Sequence, residues 1–396
     1  MTREQASQTI LSLTATNILV ELPTGYGKTK VALDLLNKYK PESILIVVPR
    51  LVLIQNWKEE FKKWNMISML KNVTFTTYVS FPKKYLTKEH WGYIVFDEAH
   101  HLSERCRDAV SESEDVTFDR CTLLSATVNR NLKAELPYIF KDLYTFKISM
   151  KEAIKEEVLP DPKIILVPLY LDNTNPCYEI IKGNKRSKIV IRDTFINRFK
   201  YKNEKRKVII SCTQKQYYED MEAFIRWCKT RMCVEAFKNL YLQRCGARNK
   251  WLSDQKTFYV QKILEALKDK RTLTFCNGIL HTMALGQYCI NSSNKKDSDI
   301  FLNDFNQGKI NHITACNILD EGCNLTDCQY GIFAMLNSSE RMVIQKLGRL
   351  LRHKEPVIVI PYYVGTRDEE LTKKIIEGYN SNNIKTINYV ENLKLN

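Results

Sequence analysis

The chain has 396 residues, too many for one ordinary hydrophobic core and suited to two domains of roughly 150 to 200 residues. At 44% hydrophobic residues, with apolar runs of about five to seven residues, it reads as a soluble globular protein with buried strands and no membrane-spanning segment. Lys plus Arg number 60 against 45 for Asp plus Glu, and the formal net charge of +15 favours a polyanionic partner.

Twelve cysteines lie scattered in apolar stretches such as "CTLLSAT". They fit reduced, buried thiols better than a secreted disulfide framework, and no signal peptide precedes the first strand, so the expected compartment is cytoplasmic. Cys212, Cys228, Cys233 and Cys245 contain no C-x2-C spacing, which argues against a zinc or iron-sulfur site.

From the start of the chain, short apolar runs alternate with helical segments: "NILVEL" (17–22), "SILIVV" (43–48), "YIVF" (93–96) and "CTLLSAT" (121–127). Such alternation predicts right-handed crossovers on a parallel sheet. "KEAIKEEVLPDP" (151–162) breaks the pattern. It then resumes with "KIILVPLY", "TLTFC" (272–276), "ITAC" (313–316), "YGIFAML" (330–336) and "PVIVIPYY" (356–363). Aromatic and aliphatic spacing between roughly 190 and 270 predicts a helical insertion. The basic stretch 182–207, with Phe195 and Phe199 spaced for one face, predicts an amphipathic helix with a basic side, open to solvent or to nucleic acid.

"LPTGYGKT" (22–29) joins the first apolar run to a helix-forming segment. That context aims backbone N–H groups and a helix N-terminus at an anion. Gly25 and Gly27 allow close approach, Lys28 reaches the outer phosphates, and the hydroxyl of Thr29 can ligate magnesium. "YIVFDEAHH" places Asp97 and Glu98 at the carboxyl end of an apolar strand, where open parallel sheets bind ligands. Adjacent acids there serve different tasks, Asp97 holding the metal through its water shell and Glu98 polarising the attacking water.

With these two segments the chain resembles a superfamily 2 DEAH-type helicase or translocase. Further motifs of that superfamily follow in order: "VVPRLVLIQNW" (47–57), "TTYVSF" (76–81), "LSAT" (124–127), "TLTFCNG" (272–278), "NILDEGCNL" (317–325) and "QKLGRLLR" (345–352). The resemblance implies an α/β protein of two tandem RecA-like parallel-sheet domains, the second with the helical insertion. The first would span 1–150, the linker 151–163 and the second domain 164–396. It implies ATP and Mg²⁺ as cofactors.

By the same resemblance Gln5 reads adenine, and Thr24, Gly25, Tyr26, Gly27, Lys28, Thr29 and Gly322 cradle the nucleotide. Gln345, Arg349 and Arg352 reach the triphosphate from the second domain; the two arginines, three apart, share a helix face and have the fork that matches phosphate oxygens. His100, Ser125, Thr127 and Glu321 couple ATP state to the track. Arg50, Thr77, Ser80, Asn277 and Thr314 contact the nucleic-acid backbone. Two positions depart from the pattern: Arg50 replaces a usual threonine, and Asn324 a frequent aspartate.

The absence of an H-R-x-G-R form, and only about 45 residues beyond the last motif, point to the branch of DNA repair translocases, phage recombination helicases and restriction motors. DNA, duplex or branched, is the favoured track, and replication, repair or recombination proteins are the implied partners. The alternatives are an RNA remodeller or a non-catalytic nucleic-acid-binding module.

Overall fold

The computed structural model describes all residues except 114, 184–188, 192–206, 292, 317–324, 326, 337–342, 344–346, 349, 351 and 389–396. The first lobe is a six-stranded sheet built from β1 (Asn17–Glu21), β2 (Ile44–Val48), β3 (Val73–Thr77), β4 (His90–Asp97), β5 (Thr117–Ser125) and β6 (Leu143–Lys147). All pairings are parallel, in the order β3-β2-β4-β5-β1-β6. Strands β1 and β2 are buried along their whole length, as a sheet covered on both faces requires. Helix α1 (Arg3–Ser12) precedes β1, and the helices between strands are α2 (Lys28–Tyr39), α3 (Val52–Lys63), α4 (Phe81–Tyr85), α5 (Glu104–Ser111) and α6 (Arg130–Ile139).

Strand order decides where the motifs meet. β5 lies between β4 and β1, with Asp97 in register with Leu124 and Glu21 with Ser125. The phosphate loop, the acid pair and the "SAT" segment therefore emerge side by side at the carboxyl ends of three adjacent strands.

The expected linker folds in part: α7 (Met150–Lys155) opens with a Ser149–Glu152 capping box, and β7 (Lys163–Leu169) begins the second sheet. That sheet also contains β11 (Thr272–Phe275), β12 (Cys289–Ile290), β13 (His312–Ala315), β14 (Tyr330–Phe333), β15 (Val357–Tyr363) and β16 (Ile384–Thr386). Its order is β12-β13-β11-β14-β15-β7-β16, again parallel throughout. Helices α11 (Ile279–Leu285), α12 (Lys295–Asn306) and α13 (Arg367–Ile376) accompany these strands.

The insertion corrects the sequence reading, because it is not wholly helical. It includes a three-stranded antiparallel sheet of β8 (Tyr178–Gly183), β9 (Ile189–Ile191) and β10 (Lys207–Cys212), in the order β10-β8-β9. Strand β8 ends inside the basic stretch 182–207 expected to be an amphipathic helix, and β9 and β10 lie where a helix was expected. Phe195 and Phe199 lie outside the described residues. Helices α8 (Gln214–Lys229), α9 (Glu235–Gln255) and α10 (Thr257–Ala266) complete the insertion.

These helices are fastened to the second sheet by two hydrogen bonds and a buried ion pair. The Tyr363 hydroxyl donates to the Gln255 carbonyl at 3.0 Å, and the Arg367 backbone N–H donates to the Tyr218 hydroxyl at 2.8 Å. Lys256, fully buried, pairs with Asp368 of α13 at 2.9 Å. Insertion and sheet thus form one body.

Two histidines in this lobe are kept neutral by burial. His312, hydrogen-bonded to Thr274 at 3.1 Å, is pushed down to about 4, and so is His281, where Lys256 and Lys250 add to the effect of burial. The unfolded chain takes up these protons near pH 6.5, but the folded one does not until about pH 4. Stability is therefore full above pH 6.5 and falls as pH drops through that window. Denaturant unfolding at several pH values should show this loss, and His312→Gln should flatten its slope.

Candidate active site

The phosphate loop takes its shape from two glycines at positive φ, Gly25 at 87° and Gly27 at 108°, a region that costs glycine nothing. Gly27 caps α2, so Lys28 and Thr29 occupy its first turn. Around the loop, the Arg3 guanidinium donates to the Gly25 carbonyl at 3.0 Å. The buried Tyr26 ring donates its hydroxyl to the Met1 carbonyl at 2.8 Å. Gln5, expected to read adenine, closes a capping box instead, its side-chain oxygen accepting from the Thr2 N–H at 2.9 Å. Reaching a base would require breaking that cap.

Lys28 Nζ lies 3.6 Å from Glu98 Oε1 and donates to the Leu22 carbonyl at 3.4 Å. Glu98 sits in the left-handed region, at φ 50°, which turns its carboxylate back toward the loop. Its Oε2 is buried and has no hydrogen-bond donor; His100 Nδ1 is 3.5 Å away. Asp97 is buried, and its acidity is weakened to a pKa of about 6. Burial is the larger cause, and repulsion from Glu98 adds to it, while the Trp57 hydrogen bond and the Lys28 charge oppose both. Two close carboxylates, one oxygen of them orphaned, and a hydroxyl at Thr29 form an all-oxygen donor set. Such a set fits a hard divalent cation, whose charge would relieve the repulsion.

Ser125 links the acids to the next loop. His100 Nδ1 contacts Ser125 Oγ at 3.1 Å, and Ser125 donates to the Thr127 carbonyl at 2.9 Å. His100 must then be the donor to Ser125, which fixes its tautomer. The Thr127 hydroxyl is buried without a hydrogen-bond partner, so it is available to exchange. Glu21 anchors the same loop from β1: its carboxylate accepts from the Val128 N–H at 3.0 Å and from Lys133.

The second lobe reaches this site through small residues. Residues 347, 348 and 350 are helical. Gly348 stands so close to the phosphate loop that an added Cβ would lie 2.4 Å from Thr24 Cβ. One turn of contact further, Gly331 of β14 makes room for Leu350, whose Cδ1 would be 2.1 Å from a Cβ there. Gly348 thus sits against the phosphate loop and Leu350 against β14. Arg352 is described and exposed at its end; Gln345, Arg349, Glu321, Gly322 and Asn324 lie outside the described residues.

The expected nucleic-acid contacts divide. Arg50 and Ser80 are exposed, Thr77 is half-buried beside them, and the neighbours Leu51, Val52 and Val79 are exposed at 71%, 59% and 84%. They form one ledge at the carboxyl ends of β2 and β3. Thr314 does not join a track: it is fully buried in β13 and donates to the Thr282 carbonyl at 3.2 Å. Asn277 is drawn into the insertion, its amide donating to Asp254 at 2.8 Å and to the Lys250 carbonyl at 3.1 Å. In both, a polar side chain donates to neighbouring backbone or carboxylate, Thr314 from its hydroxyl and Asn277 from its amide nitrogen.

Two residues near the acids carried no sequence-based role. The buried Trp57 donates its indole N–H to Asp97 Oδ2 at 2.9 Å, and the Tyr78 hydroxyl donates to the Asp97 carbonyl at 2.8 Å. The signal for them was a Trp and a Tyr embedded in the two track motifs; their shared target could not be read from one dimension. Among the described residues no group of His, Cys, Asp and Glu has the makings of a metal cluster, and no helix is long and apolar enough to cross a membrane.

A phosphate loop and an acid pair in one lobe, with a helix of a second parallel-sheet lobe seated on that loop, define a two-lobed nucleotide hydrolase. Comparison with known proteins places it further. Residues 2–130 match the family model of the type III restriction enzyme res subunit, and residues 255–354 match that of the helicase conserved C-terminal domain. The DNA 3'-5' translocase XPB2 of Sulfurisphaera tokodaii is 24% identical over 377 residues, covering 90% of this chain and 80% of that one. The fold is shared with the Hef helicase domain of Pyrococcus furiosus (13% identity, TM-score 0.52, covering 93% of this chain and 97% of that one). It is also shared with S. cerevisiae Dbp5 bound to RNA and ADP BeF3 (13% identity, TM-score 0.58, covering 98% and 89%). The two family models and the translocase relative together support a superfamily 2 helicase or translocase that hydrolyses ATP.

The close approach at Gly348 yields a direct test. Gly348→Ala places a methyl group against Thr24 and should push the helix off the phosphate loop, lowering ATP turnover on the order of 10²-fold, the usual consequence of a misplacement near 1 Å. Nucleotide titration should show binding to the first lobe nearly unchanged.

Proposed function

We propose that the chain is an ATP-driven DNA translocase or helicase, gripping the phosphate backbone of duplex or branched DNA alternately with its two lobes. The observation that carries this reading is the seating of the Gly348 helix on Thr24, which brings the second lobe onto the triphosphate site of the first. Support for DNA comes from the relative named as a DNA translocase, from the +15 net charge, and from the exposed ledge at residues 50–52 and 77–80. Contacts of that ledge would address sugar and phosphate, so binding should be sequence-independent and steeply salt-dependent.

In the reaction, the loop amides and Lys28 hold the β- and γ-phosphates, and Thr29 and Asp97 are the residues that would hold Mg²⁺. The ion, when bound, neutralises charge on the phosphate oxygens. Glu98 orients the attacking water and accepts its proton, with Lys28 drawn from its resting position beside Glu98 onto the nucleotide. Arg349 and Arg352 enter from the second lobe to stabilise charge as the γ-phosphoryl departs, an effect of about 10³ to 10⁵ in rate for such residues. Gln345 positions the water. Ser125, Thr127, His100 and Glu321 relay the resulting change, and Gly322 and Tyr26 border the nucleoside. Closure and reopening of the lobes then shift the grip on DNA by about one nucleotide.

ATP turnover measured with single-stranded, duplex and forked DNA, and with RNA, tests the proposal. Stimulation should be strongest with DNA and should weaken as salt rises from 50 to 200 mM. Lys28→Ala should lower turnover by at least about 10²-fold while retaining salt-sensitive DNA binding. Stimulation by RNA alone would replace DNA as the track, and unchanged turnover in the variant would remove the assignment of the site.

A further inference from the structure

Asp97 is held from two sides, and both holders belong to the ledge segments. Trp57 lies on α3, whose first turn begins at the exposed Val52, directly after the exposed Arg50 and Leu51. Tyr78 lies between Thr77 and Ser80 at the end of β3. Each side chain is buried, 2% and 7% exposed, and each makes one hydrogen bond to the same residue, Trp57 to the carboxylate and Tyr78 to the main-chain carbonyl. Tyr78 is further fixed by stacking on Phe96, the residue before Asp97, at 6.2 Å between ring centroids.

We propose that Trp57 and Tyr78 are positioning residues that orient Asp97 toward the nucleotide cleft, and that through them nucleic acid bound on the ledge acts on the metal-holding carboxylate. The inference rests on Asp97 being the metal-holding acid. Its physical basis is the asymmetry of the two holders. An indole N–H is a donor only, so it occupies one carboxylate oxygen without itself competing for a cation. The Tyr78 bond fixes the main chain at the strand end, from which Glu98 also turns. A shift of α3 or of the 77–80 turn cannot leave Asp97 untouched, because the bond to each is direct. The two roles separate cleanly: the Trp57 bond sets how the carboxylate points, whereas the Tyr78 bond sets where its backbone stands.

Trp57→Phe and Tyr78→Phe remove the donors and keep most of the volume. Fluorescent ADP binding, titrated with Mg²⁺ and repeated in EDTA, is the first readout. The Trp57 variant should need about tenfold more Mg²⁺ for half-maximal binding, the lower end of the loss seen when a group supporting a metal ligand is removed. Its affinity in EDTA should equal that of the unaltered chain, a split that mere loosening of the fold would not produce. The Tyr78 variant should lower the ratio of DNA-stimulated to basal ATP turnover severalfold.

A measurement on the unaltered chain guards against a variant that fails to fold. With Mn²⁺ and ADP, the Trp57 indole N–H resonance should broaden beyond detection, whereas indoles far from the ion should persist. Unchanged Mg²⁺ dependence in a folded Trp57→Phe chain, an unaltered stimulation ratio in Tyr78→Phe, or a persisting Trp57 indole signal would overturn the inference. Nucleotide binding by the unaltered chain that ignores Mg²⁺ would instead refute the reading of the metal site itself.

Discussion

A glycine of one lobe resting on a threonine of the other is the contact on which the rest of this molecule depends. Neither lobe alone completes a hydrolytic site: the first supplies Lys28, Thr29, Asp97 and Glu98, and the second supplies the helix that begins beyond β14. Gly348 and Gly331 make the fit possible because any larger residue would hold that helix away from Thr24 or displace Leu350. An apolar cluster runs without interruption from α1 and α2 through Leu159 into β7, β15 and Leu347, so the contact is backed by buried surface. A hinge that closes through packed residues moves between discrete arrangements, which suits a motor.

The electrostatics of the site follow from its place at the end of a buried sheet. Asp97 and Glu98 are adjacent in sequence, so strand geometry alone would point them apart. The positive φ of Glu98 brings them to one cleft instead. Lys28 and Trp57 then offset their repulsion, each from a different motif. A bound nucleotide competes for Lys28 and a cation competes for the acids, so occupancy rearranges every one of these contacts. Changes at the site therefore pass into α3, the 77–80 turn and the Ser125 loop.

How much of this was legible in sequence depended on how local the cause was. Lys28, Asp97 and Glu98 were legible because phosphate chemistry restricts both residue type and spacing. Strands β1, β2, β4 and β5 were legible as unbroken apolar runs, since central parallel strands are buried on both faces. Edge strands β3 and β6 carry "VTFTT" and "LYTFK", half-exposed patterns that do not stand out from loops. The sheet in the insertion was misread because β8 and β10 are antiparallel partners separated by a long basic connection, and pairing at such distance leaves little trace in local periodicity. Thr314 and Asn277 were assigned to the track by motif position, yet tertiary hydrogen bonds engage the Thr314 hydroxyl and the Asn277 amide nitrogen. Trp57 illustrates the converse: it lay inside a recognised motif, but its partner forty positions away appeared only in three dimensions.

The most direct test of the composite site is a crystal structure of the chain with Mg²⁺ and a non-hydrolysable ATP analogue. The account predicts a γ-phosphate held between Lys28 and an arginine of the 345–352 segment, with the metal on the free side of Asp97 and Gly348 still against Thr24. A nucleotide contacted by first-lobe residues alone, with the second-lobe helix withdrawn from the phosphate loop, would contradict it.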